Sequence, residues 1–238
     1  MLVYGNRLIY RYLSDFLGLF YPKYCSLCSE VLVYGERCLC SYCLSSLPLT
    51  DFCEQINNPA ELVFAGKVPV FRATAYCYFR KEGITQHIIH LLKYKNNQQI
   101  GIVLGELLGA QLSQNQDFNS VDFLIPLPLH KKRKKTRGYN QSEIICKGIA
   151  NVMPKQILTN AIKRVIYTST QTKKSIYSRY ENLACAFELN QTDNLEGKHL
   201  LLVDDVLTTG SSLSSAIEVL MKIKNIKISV ACIAFAGH

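Results

Sequence analysis

The chain has 238 residues, 48% of them hydrophobic and 19% charged, with a formal net charge of +9. These values fit one sizeable domain with a small appendage and exclude a disordered or low-complexity chain. Between Lys131 and Arg179 there are thirteen Lys or Arg residues and one acid, Glu143, a local +12 that leaves the remainder near −3. One region therefore supplies all of the basicity and forms an anion-facing surface, for pyrophosphate, nucleic acid or both.

In chain order, residues 1–20 predict an amphipathic helix. Arg7, Arg11 and Asp15 recur every four residues and give an otherwise apolar stretch one polar face. No apolar run reaches membrane-spanning length and no small-residue cleavage site follows, so a docking helix is expected rather than a signal peptide or a span.

Residues 21–55 carry Cys25-x2-Cys28 and Cys40-x2-Cys43, two knuckles that together close a four-sulfur zinc site at about 2.3 Å per Zn–S bond. Val31 to Tyr34 and Gly35 supply a short strand and turn between them. Cys38 competes with Cys40 for the third ligand position. Nothing marks a secreted chain, so a disulfide framework is not expected and the cytoplasm is the expected compartment. Cys53 has no evident partner, and Cys77, Cys146, Cys185 and Cys232 read as small core residues.

After a linker around Asn57 to Pro69, strand and helix patterns alternate as in a mainly parallel α/β sheet flanked by helices. Strands are expected at Phe71–Phe79, Val121–Ile125, Leu200–Val203 and Ile226–Phe235. Helices are expected at Ile84–Tyr94, Ile102–Leu112, Gln141–Val152 and Ser212–Lys224. The stretch His130 to Tyr139 reads as a basic loop, stiffened at its start by Pro126 and Pro128. Lys163 to Arg179 reads as a long polar loop, a feature that is functional or disordered when found inside a domain.

The most informative segment is the strand ending at Asp204 and Asp205, followed by Thr208-Thr-Gly-Ser-Ser212 and a helix. A small-residue turn at a helix N-terminus offers free N–H groups, hydroxyls and the positive end of the helix dipole to an anion. Two adjacent acids would repel that anion unless they face hydroxyls or a bound magnesium ion. A sugar phosphate satisfies both halves; a plain N-capped helix after a buried strand is the bland alternative.

This segment resembles the 5-phosphoribosyl-1-pyrophosphate (PRPP) motif of type I phosphoribosyltransferases. The resemblance implies that Asp204 and Asp205 hold the ribose hydroxyls and act in catalysis. It implies that Thr208, Thr209, Gly210, Ser211 and Ser212 hold the 5′-phosphate. With the knuckle, His90-Leu-Leu-Lys-Tyr94, Ile125-Pro-Leu-Pro-Leu-His-Lys-Lys-Arg133 and Arg137-Gly-Tyr-Asn-Gln141, the chain from about Tyr21 onward resembles the ComF family of competence-associated phosphoribosyltransferase-like proteins. The implied architecture is a type I phosphoribosyltransferase domain over 70–238 behind a small N-terminal zinc ribbon.

In that family the basic loop is the pyrophosphate loop. Arg137 is the expected catalytic and binding cation, because an Arg fork fits diphosphate oxygens and Gly138 permits close backbone approach. Asn140 and Gln141 can donate further. Lys163 to Arg179 resembles a hood over PRPP, with Arg164, Gln171, Arg179 and Asn182 matching and Tyr167 and Thr168 departing from the pattern. Purine-salvage enzymes place a carboxylate where this chain has Thr208, which disfavours hypoxanthine or guanine as acceptor.

Two functions follow: a magnesium-assisted transferase of ribose 5-phosphate from PRPP to an unidentified acceptor, or a non-catalytic PRPP-sensing factor that binds single-stranded DNA and DNA-uptake proteins in natural competence. The basic surface with Tyr139, Tyr177 and Tyr180 fits the second. A vestigial site is disfavoured by the intact order of acids and small residues.

Overall fold

A computed structural model describes residues 21–94, 97–165 and 186–237. The expected helix over 1–20 lies outside them, as do Cys185, Gln171, Arg179, Asn182, Tyr167, Thr168, Tyr177 and Tyr180. The described residues form two compact units divided between Leu47 and Pro48.

The first unit is organised around its cysteines. An antiparallel bridge joins Tyr24 to Val31, where the sequence suggested a short strand. One short helix, α1 (Ser41–Ser45), starts at Cys40, whose sulfur accepts the N–H of Cys43. Leu39 and Leu47 are buried along with Cys25, Cys40 and Cys43.

In the second unit α2 (Pro59–Leu62) precedes β1 (Arg72–Tyr78), α3 (Ile84–Tyr94), α4 (Gln98–Gln114) and α5 (Gln116–Asn119). Then follow β2 (Phe123–Pro126), α6 (Lys131–Arg137), α7 (Gln141–Val152), β3 (Gln156–Ile157), β4 (Ile162–Arg164) and β5 (Phe187–Leu189). The chain continues with β6 (His199–Leu207), α8 (Ser211–Leu220) and β7 (Lys227–Phe235). Five strands form one sheet in the order β1-β7-β6-β2-β3, with every neighbouring pair parallel; β4 and β5 make a separate antiparallel pair. This is the expected mainly parallel α/β fold. The apolar runs of β6 and β7 are buried almost throughout, as strands covered on both faces require.

Three expectations are corrected. The residues before β1 are not a loose linker: Phe52, Ala60 and Phe64 join the core against β1, β6, β7 and α8. Asn58 fastens them, donating to the carbonyls of Phe52 and Ala73 at 2.9 Å each and accepting from Ala60 N at 2.8 Å. Arg72 adds ion pairs to Glu61 and Asp117 and hydrogen bonds to the carbonyls of Cys53 and Gln55.

The basic stretch after β2 is a helix, α6, and not a loop. His130 caps its start by accepting the N–H of Lys132, and Gly138 ends it in the left-handed region at φ 80°. Finally, β6 runs past the two acids, because Val206 and Leu207 still pair with Ala234 and Phe235 of β7.

Helices α4 and α7 cross with their backbones nearly in contact. A Cβ placed on Gly148 would lie 2.3 Å from the carbonyl oxygen of Ile102 and 2.8 Å from Cα of Gly105. Glycine at both positions is therefore a packing requirement. Cys77, Cys146 and Cys232 are buried, as expected of core residues, and Cys53 is buried with them. Among the described residues no helix is long and apolar enough to cross a membrane.

Candidate functional site

The topology opens a crevice at one place. The connection from β6 through α8 leads to β7 on one side, and that from β2 through α7 leads to β3 on the other. Neighbouring strands whose connections diverge leave a gap beyond their carboxyl ends, where α/β proteins bind ligands. Pro126 of β2 pairs with Val203 of β6, so α6 and the acids with the 208–212 turn flank this gap.

Successive side chains leave a strand on opposite sides, and the two acids have separate partners. Asp204 Oδ1 accepts from Ser142 Oγ at 2.9 Å and from the N–H of Asp205 at 2.8 Å. Asp205 Oδ2 pairs with Lys93 Nζ at 3.1 Å. Burial first, then the charge of Asp205, push Asp204 up to about 7, against the pull of the Asp205 N–H, Lys93 and Ser142.

Arg137 Nη1 donates to Gln141 Oε1 at 2.8 Å, and its guanidinium carbon lies 5.5 Å from the centre of the Tyr94 ring. Gln141 and Ser142, the first two residues of α7, thus connect the basic helix to the acidic strand. Gln141 Nε2 is buried and has no hydrogen-bond partner among the described residues. Asn140 is differently employed: its amide donates to the Leu127 carbonyl at 3.0 Å and its oxygen accepts from Ser142 N at 3.3 Å, capping α7. Arg164, on β4, is drawn below its usual pKa by burial and by Arg133 while Asp204 pulls it back, so it stands within electrostatic reach of the acid.

The turn after β6 leaves Thr208, Thr209 and Ser211 exposed, with Thr209 Oγ1 and Ser211 Oγ 2.9 Å apart. Gly210 stands at the N-cap of α8 with φ 71°, so no side chain caps the first N–H groups of Ser211, Ser212 and Leu213. A Cβ on Gly210 would come within 2.6 Å of Val63 Cγ1.

The structure brings Cys25, Cys28, Cys40 and Cys43 together, with all four sulfurs within 4.8 Å of one another. Cys40, not Cys38, supplies the third sulfur. Tetrahedral zinc with Zn–S bonds of about 2.3 Å needs sulfurs roughly 3.8 Å apart, and Cys28 Sγ and Cys40 Sγ are separated by 3.6 Å. Burial alone would raise the Cys25 thiol, but N–H groups of Cys28, Leu27 and Cys40 bring it to about 6. Burial and the neighbouring thiols push Cys43 upward. Four thiolates this close repel one another unless a dication sits among them, so the donor set fits a structural metal site.

Comparison with known proteins agrees with this architecture. Residues 141–238 match the family model of the phosphoribosyl transferase domain. The DNA utilization protein YhgH of Escherichia coli O157:H7 is 29% identical over 225 residues, covering 89% of this chain and 96% of its own. Competence protein F of Haemophilus influenzae is 29% identical over 205 residues, covering 84% of this chain and 79% of its own. The chain thus carries a phosphoribosyl transferase domain over residues 141–238 and is similar along most of its length to proteins named for DNA utilization and competence. A solved adenine phosphoribosyltransferase is also similar, at 13% identity and TM-score 0.39 over 62% of this chain and 74% of its own. The fold assignment rests on the strand order and the family match rather than on that likeness.

The sequence alone located most side chains of this crevice but did not mark Lys93 and Ser142. Both lie within segments that carry the family resemblance or adjoin it. Neither has a local pattern that marks it as a partner of acids more than sixty positions away.

Proposed function

We propose that the chain binds PRPP across this crevice, with Asp204 and Asp205 on the ribose hydroxyls. The 208–212 turn takes the 5′-phosphate, and Arg137 takes the diphosphate. One observation carries the reading: consecutive residues, Gln141 and Ser142, connect a cationic fork to an acid pair beside an uncapped helix N-terminus. A ligand with a diphosphate, a diol and a phosphate on one small frame matches that sequence of groups.

In the transfer, the bond from ribose C1 to the diphosphate oxygen breaks and its electron pair leaves with the diphosphate. Arg137, held by Gln141, donates hydrogen bonds to that growing charge. The unpartnered Nε2 of Gln141 is a second donor of the same kind. The acceptor then bonds to C1, and its proton passes to the departing diphosphate or to water. Thr208 has only a hydroxyl and does not take that proton near neutral pH, so the acceptor is one that needs no carboxylate base there.

A magnesium ion bound with the diphosphate would supply further positive charge there. Among the described residues the four cysteines are the only group of three or more metal-ligating side chains close enough to hold one ion. Magnesium would be held through the diphosphate oxygens, and the four cysteines would hold zinc. The relatives' names, DNA utilization and competence protein, support a role in DNA uptake.

Calorimetry with PRPP and magnesium tests the reading, and a screen for pyrophosphate release over candidate acceptors tests transfer. No heat of binding from wild-type protein would sink the proposal. Binding that survives Asp204→Ala with Asp205→Ala unchanged would sink the residue assignment.

A second reading, a PRPP-sensing factor that holds single-stranded DNA without transfer, is favoured by α6. Its lysines project from a helix with no buried residue and no acid. DNA affinity that falls steeply with salt supports it, and a slope near zero removes it.

A further inference from the structure

The last turn of α3 ends between the two halves of the crevice, and each of its last three residues is engaged. The Leu92 carbonyl accepts from the Tyr139 hydroxyl, just beyond α6. Lys93 Nζ meets Asp205 Oδ2 at 3.1 Å, with only 22% and 11% of the two side chains exposed. Tyr94 lies against the Arg137 guanidinium at 5.5 Å, and its ring is braced by His90 at 4.9 Å. The matched family domain begins only at residue 141 and so leaves this turn without a role.

We propose that Lys93 and Tyr94 are positioning residues that divide the ligand between them, Lys93 setting the ribose half through Asp205 and Tyr94 setting the diphosphate half through Arg137. The inference rests on the PRPP reading above. Two adjacent carboxylates at a half-buried strand end resist ionising together. An ammonium on Asp205 Oδ2 fixes the plane of that carboxylate, so its other oxygen faces a hydroxyl in a defined direction.

Arg137 presents a comparable problem on the other side. Its bond to Gln141 fixes one edge of the guanidinium but leaves the group able to rotate about that edge. The Tyr94 face sets the plane of the fork. Both devices act on groups that would touch the ligand, and neither Lys93 nor Tyr94 needs to touch it.

The test compares three probes on the full chain by calorimetry with magnesium: PRPP, ribose 5-phosphate and inorganic pyrophosphate. Lys93→Met weakens PRPP and ribose 5-phosphate by about tenfold or more, the scale of losing a charged hydrogen bond, and leaves pyrophosphate near the wild-type value. Lys93→Arg restores most of the ribose 5-phosphate affinity. Tyr94→Ala weakens PRPP and pyrophosphate by roughly two- to fivefold, with Tyr94→Phe close to wild type, and spares ribose 5-phosphate.

Equal weakening of all three probes by either substitution would mean a merely structural role and overturn the inference. So would a Lys93→Met protein that binds ribose 5-phosphate as wild type does. Wild-type protein that binds none of the probes overturns the PRPP reading itself. Wild-type binding with an unsplit loss overturns only the division proposed here.

Discussion

Replacing Gly148 by alanine tests whether the α4–α7 crossing holds the crevice in shape. The new Cβ would sit 2.3 Å from the Ile102 carbonyl oxygen and 2.9 Å from Glu106 N, both backbone atoms that cannot turn aside. The helices must part by about 1 Å to restore ordinary contact. Overpacking of this kind costs about 1–3 kcal/mol, and a backbone-to-backbone clash falls at the upper end of that range. Alanine returns about 1 kcal/mol through its higher helix propensity, leaving a net loss of about 2 kcal/mol. For a unit of this size that lowers the melting temperature by about 4–8 °C. Because α7 also carries Gln141 and Ser142, parting the helices loosens Ser142 from Asp204, and the proposed affinity for PRPP should fall with it. Differential scanning calorimetry and a PRPP titration on the same preparation read both effects. A variant that melts within about 1 °C of wild type, below the smallest shift expected from a 1 kcal/mol change, would refute the close crossing.

Four further outcomes are expected. Asp204 is raised to about 7 in the folded protein, so the fold holds more protons than the unfolded chain between about pH 4 and pH 7, and this contribution to stability is lost as pH rises through that window. Asp204→Asn should therefore gain stability relative to wild type on going from pH 5 to pH 8, measured by urea denaturation at each pH. His199 behaves in the opposite sense: burial lowers it to about 4, so its contribution is present above about pH 6.5 and lost as pH falls towards 4. His199→Gln should flatten the acid limb of the stability profile. Metal analysis should find about one zinc per chain, retained in Cys38→Ser and lost in Cys40→Ser; the reverse pattern would reassign the third ligand. Arg72→Met strands Glu61 and Asp117 and should destabilise the second unit by about 3–5 kcal/mol, read as a lower denaturation midpoint.

How legible the molecule was depended on whether a signal was local. Helices α3 and α7 begin and end where the sequence placed them, because their apolar spacing is regular and Asn140 caps α7. The four cysteines were equally plain, since spacing alone decides a knuckle. Helix α6 was misread because six cations in seven residues show no apolar period, while its end signals, His130 and Gly138, were read for other purposes. The end of β6 was set too early because acids resemble a strand stop; the pairing of Val206 and Leu207 with β7 is a tertiary fact. Residues 57–69 looked like a linker because the order of this region comes from Asn58 and Arg72 reaching distant carbonyls. Lys93 was invisible for the same reason: its partner is adjacent only after folding.

The strand order also bears on how the molecule is made. β1 is the last strand of the sheet: among the described residues β7 is its one strand neighbour, with Arg72 opposite Ser229. A single antiparallel bridge from Leu49 to Cys77 lies on its other side. During synthesis β1 leaves the ribosome long before its partner exists, and the acid-bearing strand emerges before the strand that separates it from β1. Such distant pairing makes folding slow and leaves unpaired edges exposed meanwhile. The crevice can thus acquire its shape only after β7 has been translated, and a nascent chain stalled before residue 227 should bind no ribose phosphate and should be a target for chaperones.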